Sequence, residues 1–412
     1  MLQLRSPLDD LGSQHPELAE KLRLIAASRE HRSLAAEYEH LLSEARMIPG
    51  FEDFMVPRRA SEYFQVAKNN PVVAILASDP NVHHIPLPNI TYDIAKTASQ
   101  QIQISLHRRG VRERCDPRGV KLAGQMDYFK PVLATLWTDV ARPILEALGY
   151  MLHQTGELPH ITWCATGPFS FLPIHAAGYY DRPMAKLSDY VISSYTPTLT
   201  ALLSAQCNGS SPLSSVLAVG QEATPNKSRL PQTVAELNRI RGHVERSQTD
   251  YVQLDKDGAT ISKVLDALGN HSCVHLACHA YQNLENPVES GFHLHDGTLT
   301  LRTIMQQSFP GKQLAFLSAC QTAAGDDQIP DEAVHLASGM LMAGYPSVVA
   351  TLWSISDYYA PLVADEVYGW LVKNTFKPGE TAKALHYAVA KLREEVGEED
   401  FIRWVPYVHF GI

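Results

Sequence analysis

A histidine and a cysteine follow two short apolar segments in the last third of the chain. The first segment, residues 274–279, reads V-H-L-A-C-H, and the second, residues 314–323, reads L-A-F-L-S-A-C-Q-T-A. Short apolar runs of this kind are typical of strands buried on both faces of a parallel sheet. Because parallel strands end at one edge of a sheet, the sequence predicts that His279 and Cys320 meet there as a base and a thiol nucleophile.

Other interpretations of these residues stay open. A single cysteine after an apolar strand is usually a small buried hydrophobe. His275, Cys278 and His279 together suggest a metal, but no second cluster with zinc spacing follows, so we expect neither a metal site nor a cofactor. We interpret His275 as a residue that supports the sheet. His175, after F-L-P-I, has no cysteine at a matching strand end and is not expected to be catalytic.

The elements around the two segments have the rhythm of a βαβ unit. A third apolar run at 347–353 follows a predicted helix at 331–343. A small hairpin is expected at 292–301, where His293 and His295 are predicted to lie on the surface. Helices are predicted at 92–106, 137–153, 259–268, 358–375 and 381–395. The tail at 406–412 is expected to return as an edge segment of the sheet.

Four blocks, taken in order, resemble the CHAT peptidases, which are caspase-like cysteine proteases related to separases. The blocks are H-L-A-C-H, D-G-x-L-T, L-S-A-C-Q-T-A and A-G-x-x-S-V-V-A-T-L-W-S-I-x-D, within residues 250–375. Weaker matches at 163–178, 193–199 and 406–411 are similar to fungal-type members. Many CHAT proteins carry tetratricopeptide repeats, but this sequence contains no 34-residue repeat, so such repeats are missing or belong to another chain.

The resemblance implies an α/β fold: a caspase-like, parallel-rich sheet flanked by helices. It also implies a second, non-catalytic caspase-like half ahead of the active half. We therefore predict a mostly helical N-terminal extension at 1–130, the non-catalytic half at 131–240 and the active half at 241–412.

The resemblance also assigns catalytic roles. His279 matches the family histidine and Cys320 the family nucleophile, and the oxyanion would be held by the backbone N–H groups of Ala280 and Cys320. The family usually has glycine after the histidine, whereas this chain has Ala280, whose methyl group could crowd the oxyanion hole or restrict φ. A catalytically silent caspase-like scaffold is therefore the alternative to an active enzyme.

Three acidic residues are candidates for substrate binding. Asp357 follows the third strand in a segment that is similar to the separase pocket for a basic residue, so it is predicted to bind Lys or Arg before the cut. Alternatively, Asp357 caps a helix that begins at Tyr358. Asp327 and Glu332 follow Cys320 in a loop that is predicted to line the substrate cleft. Alternatively, they lie in a solvated turn and at a helix N-terminus, where the helix dipole favours acidic residues. Glu332 also suits a structural or gating role.

The composition is that of an enzyme in a reducing compartment. The chain has 412 residues, 45% of them hydrophobic, and a formal net charge of −9, enough for two or three domains. The mild acidity and the lack of basic runs argue against nucleic acid. No run of about 18 apolar residues predicts a membrane span, and the first residues lack the apolar region of a signal peptide. Six cysteines without paired spacing favour the cytoplasm.

These observations favour a cysteine endopeptidase that cleaves a protein partner in cell death or defence. Its expected partners are a protein substrate and an activating protein or repeat-containing regulator. The alternatives are a silent scaffold or protein-interaction module, and a small-molecule cysteine hydrolase on an unrelated α/β fold. The small, acidic, turn-forming residues after Cys320 (A-A-G-D-D-Q-I-P) are expected to be displaced until a partner or a cut reshapes the site.

Overall fold

A computed structural model describes most of the chain from residue 85 onward. The described residues are 40–47 without 42 and 45, 72–74, 85–109, 127–151, 156–208, 215–225, 227–247, 249–283, 286–307, 309, 311–319, 335–374 and 379–412. The chain divides into two units, Met1–Arg59 and Ala60–Ile412. In the first unit only short helical pieces between 40 and 47 are described, so most of the predicted N-terminal extension lies outside the described residues.

Nine strands form one sheet in the described part of the chain. They are β1 Val72–Ala74, β2 His160–Cys164, β3 Ile192–Tyr195, β4 Ser215–Gly220, β5 Asp250–Asp255, β6 Cys273–Ala277, β10 Leu314–Ser318, β11 Ser347–Thr351 and β12 Tyr407–Gly411. Their order is β1-β2-β3-β12-β11-β10-β6-β4-β5. A separate three-stranded sheet consists of β7 Ala280–Tyr281, β8 Gly291–His293 and β9 Thr298–Thr300. The predicted hairpin is confirmed as β8 and β9.

The large sheet consists of two parallel blocks that run in opposite directions. β12 is parallel to β3 but antiparallel to β11, and the other neighbours pair in parallel. The carboxyl ends of β4, β6, β10 and β11 therefore share one edge, opposite to that of β2 and β3. The prediction of a parallel-rich α/β sheet is confirmed. The predicted boundary at residue 240 does not coincide with the change of direction, because β4 precedes that residue yet pairs with β6.

The expectation that the tail forms an edge segment is wrong. β12 lies in the middle of the sheet, between β3 and β11. All five of its residues are buried, as expected for a strand covered on both faces. Gly411 has φ +98° and approaches Pro346 so closely that a Cβ would lie 2.0 Å from the Pro346 carbonyl oxygen. The tail is therefore part of the core.

Helices flank the sheet. They are α1 Tyr92–Arg108, α2 Phe129–Leu136, α3 Arg142–Ala147, α4 Leu199–Asn208, α5 Thr233–Arg246, α6 Ile261–Asn270, α7 Leu301–Met305, α8 Leu336–Met342, α9 Ala360–Lys373, α10 Glu380–Val396 and α11 Phe401–Trp404. The predicted helices near α1, α6, α9 and α10 are confirmed within a few residues. The helix predicted at 137–153 instead starts as α2 and continues through a π-helical turn, Trp137–Ala141, into α3. It stops at Gly149 (φ +73°), where the N–H of Tyr150 returns to the Leu145 carbonyl.

The helix α5 is locked against the sheet by a buried polar pair and by a glycine. His275 Nε2 lies 3.0 Å from Glu236 Oε1, and both side chains are fully buried. At Gly220, the last residue of β4, a Cβ would lie 2.7 Å from a methyl carbon of Leu237 and 2.9 Å from one of Thr233. Only glycine lets α5 approach this closely. The expectation that His275 supports the sheet agrees with this contact.

In another part of the sheet, a row of hydrogen-bonded buried polar side chains crosses four strands. His160 Nε2 lies 2.6 Å from Ser194 Oγ, which lies 2.6 Å from His409 Nδ1. His409 Nε2 then lies 2.8 Å from Ser347 Oγ. Burial, and to a lesser degree His160, lowers the pKa of His409 to about 3. Burial, with a smaller effect of Lys383, lowers the pKa of His160 to about 4. Both imidazoles therefore stay neutral in the folded protein.

We expect the free energy of unfolding to fall as the pH drops from about 6.5 towards 4. In that window the unfolded chain takes up protons on these histidines while the folded chain does not. Each histidine contributes at most about 1.4 kcal/mol per pH unit. Urea denaturation over this pH range measures the slope. His409→Gln should flatten it, whereas His295→Gln, at an exposed position, should not. Equal slopes in wild type and His409→Gln would contradict the assignment.

Candidate active site

The register of the sheet brings three chain segments to the same level at one edge. β6 pairs with β10 so that Ala277 faces Ser318, and β4 pairs with β6 so that Gly220 faces Ala277. His279 follows Ala277 by two positions, and Cys320 follows Ser318 by two positions. The two candidate catalytic residues therefore leave adjacent strands at equal distances along the chain.

The imidazole of His279 is held by a backbone carbonyl. His279 is 6% exposed, and its Nε2 lies 2.8 Å from the carbonyl oxygen of Ser228 in the loop after β4. A carbonyl oxygen only accepts hydrogen bonds, so Nε2 carries the proton of this bond. In the neutral ring the other nitrogen, Nδ1, is then the unprotonated one and can act as a base. Ser228 was not singled out in the sequence.

Cys320 lies outside the described residues, as do Asp327, Glu332 and the rest of the predicted activation loop. The residue before it, Ala319, is described and fully buried. The hydroxyl of Thr351, the last residue of β11, donates to the Ala319 carbonyl at 2.7 Å. That carbonyl belongs to the peptide bond that joins Ala319 to Cys320. Thr351 therefore restrains the chain immediately before the candidate nucleophile.

The backbone N–H of Ala280 is not used in the pairing of β7 with β8. Ala280 faces Phe292 across the β7–β8 pair, while the N–H of His293 donates to the His279 carbonyl at 2.8 Å. In an antiparallel ladder, a residue flanked by such bonds points its own N–H away from the partner strand. The N–H of Ala280 is thus directed away from β8.

The small sheet that carries Ala280 is tied to the body of the protein through its hairpin. Asp296 Oδ1 accepts the N–H of Ile261, the first residue of α6, at 2.8 Å. The N–H of His295 donates to the Ala259 carbonyl at 3.1 Å. At Gly291 a Cβ would lie 2.3 Å from the Leu299 carbonyl oxygen, so the tight β8–β9 pairing requires glycine.

Asp357 lies in the segment after β11 and is 6% exposed. Its Oδ2 accepts the backbone N–H of Gln232, the residue just before α5, at 3.0 Å. The helix that follows Asp357 begins at Ala360 with Tyr359 as N-cap and without a side-chain cap hydrogen bond. The alternative in which Asp357 caps a helix starting at Tyr358 is therefore wrong.

The remaining candidates lie in other surroundings. His293 is half-buried rather than on the surface, and its pKa is lowered by burial and by the charges of Lys227 and His279, so it stays neutral. His295 is exposed, as predicted. His175 bonds to the Tyr195 hydroxyl at 2.8 Å and to the Val405 carbonyl at 3.0 Å.

A family model for the CHAT domain matches residues 130–412. The chain belongs to the CHAT domain family. This confirms the resemblance drawn from the four sequence blocks, and the match includes β2 to β12 with the candidate site.

The chain is also similar to solved structures, at low sequence identity. One is a complex of the pro- and mature domains of RgpB of Porphyromonas gingivalis, with a TM-score of 0.46, 13% identity, and coverage of 66% of this chain and 69% of that chain. Another is the Saccharomyces cerevisiae separase–securin complex, with a TM-score of 0.43, 13% identity, and coverage of 78% of this chain and 22% of that chain. The chain thus spans about a fifth of that structure's chain. A comparison with curated protein sequences gives no match.

Among the described residues, no group of three or more His, Cys, Asp or Glu side chains could hold a metal ion. None of the helices described is both long and apolar enough to cross a membrane.

Thr351→Val should destabilise the CHAT domain by about 1–3 kcal/mol, because the buried Ala319 carbonyl loses its hydroxyl donor while the branched shape is kept. Urea unfolding measures this change. Thr351→Ser retains the hydroxyl and should lose less. A Thr351→Val protein as stable as wild type would show that the bond contributes nothing.

Proposed function

We propose that this CHAT protein is a cysteine endopeptidase in which His279 and Cys320 act as a dyad. The observation that carries the proposal is the parallel register of β6 and β10, after which the histidine and the cysteine follow at the same distance. The bond from His279 Nε2 to Ser228 adds support, because it reserves Nδ1 for the chemistry.

In the proposed reaction, the Cys320 thiolate attacks the carbonyl carbon of the scissile peptide bond, and the carbonyl oxygen becomes an oxyanion. The N–H groups of Ala280 and Cys320 stabilise this oxyanion. The imidazolium of His279 gives its Nδ1 proton to the leaving amine as the C–N bond breaks, leaving an acyl-enzyme. Water, deprotonated by His279, then releases the acid and restores the thiol–imidazole pair.

The departure from glycine at Ala280 is the main argument for a catalytically silent scaffold. An oxyanion hole uses a backbone N–H, which alanine has, and the β7–β8 register directs that N–H away from its partner strand. This direction favours the enzyme over the scaffold.

Cys320→Ala and His279→Ala should each abolish cleavage of a degenerate peptide library read by mass spectrometry. Because the two residues act as one unit, the double variant should be no worse than either single one. Substantial cleavage by purified Cys320→Ala would end the proposal.

A covalent peptide-based cysteine probe separates the enzyme from the scaffold. Labelling that disappears in Cys320→Ala supports an activated thiol, and wild-type protein that takes up no probe supports the scaffold. The buried thiols give little background: burial raises the pKa of Cys164 to about 11 and that of Cys273 to about 12. Both therefore stay protonated and weakly nucleophilic.

The proposed substrates are proteins cut after Lys or Arg, with Asp357 as the anion of the pocket and Asp327 and Glu332 lining the cleft. Asp357 lies at the edge of the sheet from which His279 emerges, in a buried setting where a carboxylate discriminates strongly by charge. We also propose that the protein works in the cytoplasm, in cell death or defence, under an activating partner. Cys164 and Cys273 are buried free thiols, which suits a reducing compartment.

Peptide profiling should give Lys or Arg before the cut. Asp357→Asn keeps the shape of the side chain but removes the charge, so discrimination of basic over neutral residues should fall about tenfold or more, corresponding to roughly 1.4 kcal/mol. A wild-type profile with Met, Leu or Asp before the cut would refute the basic pocket.

A further inference from the structure

The loop between β4 and α5, residues 221–232, contacts both the candidate base and the candidate substrate carboxylate. Near its middle, the Ser228 carbonyl accepts from His279 Nε2 at 2.8 Å. At its end, the N–H of Gln232 donates to Asp357 Oδ2 at 3.0 Å. The two contacts are made by Ser228 and Gln232, which are four positions apart in this short loop. We call this segment the β4–α5 loop.

The bond between Asp357 and Gln232 joins segments that are far apart in the sequence. It connects the chain after β11 to the N-terminus of α5, where the positive end of the helix dipole favours a carboxylate. Because Asp357 is 6% exposed, its hydrogen bond has little competition from water. A backbone donor to an ionised acceptor makes one of the stronger hydrogen bonds in proteins. The end of the β4–α5 loop is therefore firmly held.

The β4–α5 loop is also closed on itself around Ser228. The N–H of Leu230 donates to the Glu222 carbonyl at 2.8 Å, and the side chains of Glu222 and Arg229 form an ion pair. The N–H of Thr233 returns to the Leu230 carbonyl at 3.2 Å. These bonds tie the end of the loop to the stretch that carries Ser228, so a displacement of Gln232 would move the Ser228 carbonyl.

We propose that Asp357 is a positioning residue for His279: by holding Gln232, it fixes the β4–α5 loop and thereby the Ser228 carbonyl that orients the imidazole. This rests on the proposed function and adds a second task to a carboxylate already assigned to substrate binding. The two tasks need different chemistry. Positioning needs an oxygen that accepts a hydrogen bond, whereas recognition of Lys or Arg needs a negative charge.

Two variants separate the two tasks kinetically. Asp357→Ala removes both oxygen and charge, so kcat should fall about tenfold or more on basic and neutral peptides alike, as expected when a catalytic group is misplaced. Asp357→Asn keeps an acceptor oxygen, so turnover of neutral peptides should be rescued while basic preference is lost.

A spectroscopic readout tests the positioning without turnover. In a Cys320→Ala background with ¹⁵N-labelled histidine, the ring nitrogen shifts of His279, assigned by comparison with His279→Gln, report which nitrogen carries the proton and whether Nε2 is bonded. Asp357→Ala should shift these signals, and Asp357→Asn should not. Because this arm needs no catalysis, it stands even if the protein proves to be a scaffold.

The matched control is Asp365→Ala. Asp365 also joins α9 to α5, through His243 at 2.7 Å and Arg239 at 3.2 Å, but it does not touch the β4–α5 loop. It should leave the His279 signals unchanged, and thermal melts check that each variant is folded. Unchanged His279 signals in folded Asp357→Ala, or equal loss of neutral-peptide turnover in Asp357→Asn and Asp357→Ala, would overturn the proposal.

Discussion

The site depends on one constraint, the common direction of β4, β6, β10 and β11. Since these strands run in parallel, the loops that follow them emerge at one edge, and the row of Gly220, Ala277 and Ser318 sets the level at which they do so. A slip of one residue between β6 and β10 would turn every side chain of one strand to the other face. Both strands are buried along their whole length, so such a slip would force both faces of the close-packed core to repack.

In that row, Gly220 has no side chain at the point where α5 approaches most closely. The helix α5 directly follows the loop that carries Ser228, and Asp357 holds the end of that loop. The buried pair of His275 and Glu236 ties the same helix to β6, the strand that delivers His279. Each contact is modest alone, since a hydrogen bond contributes about 0.5–1.5 kcal/mol net. Together they couple the placement of the base to the packing of the core.

The sequence predicted the strands and helices well where the signal was an apolar run or a helical period, and it placed His279 just beyond the end of a strand. It did not reveal that the tail becomes the interior strand β12, because a short apolar segment has the same pattern at the edge and in the interior of a sheet. The contact of Ser228 with His279 could not be predicted for a different reason. Ser228 makes this contact through its backbone carbonyl, which every residue type possesses. The partner of Asp357 was equally hidden, because Gln232 contributes only its N–H.

A backbone carbonyl as the partner of the base has a chemical consequence. Like a carboxylate, it fixes the tautomer, because it accepts the Nε2 proton. Unlike a carboxylate, it brings no negative charge to stabilise an imidazolium. His279 thus owes its orientation to the exact course of a loop rather than to the charge of a neighbour. The proposed base is therefore sensitive to anything that moves the β4–α5 loop.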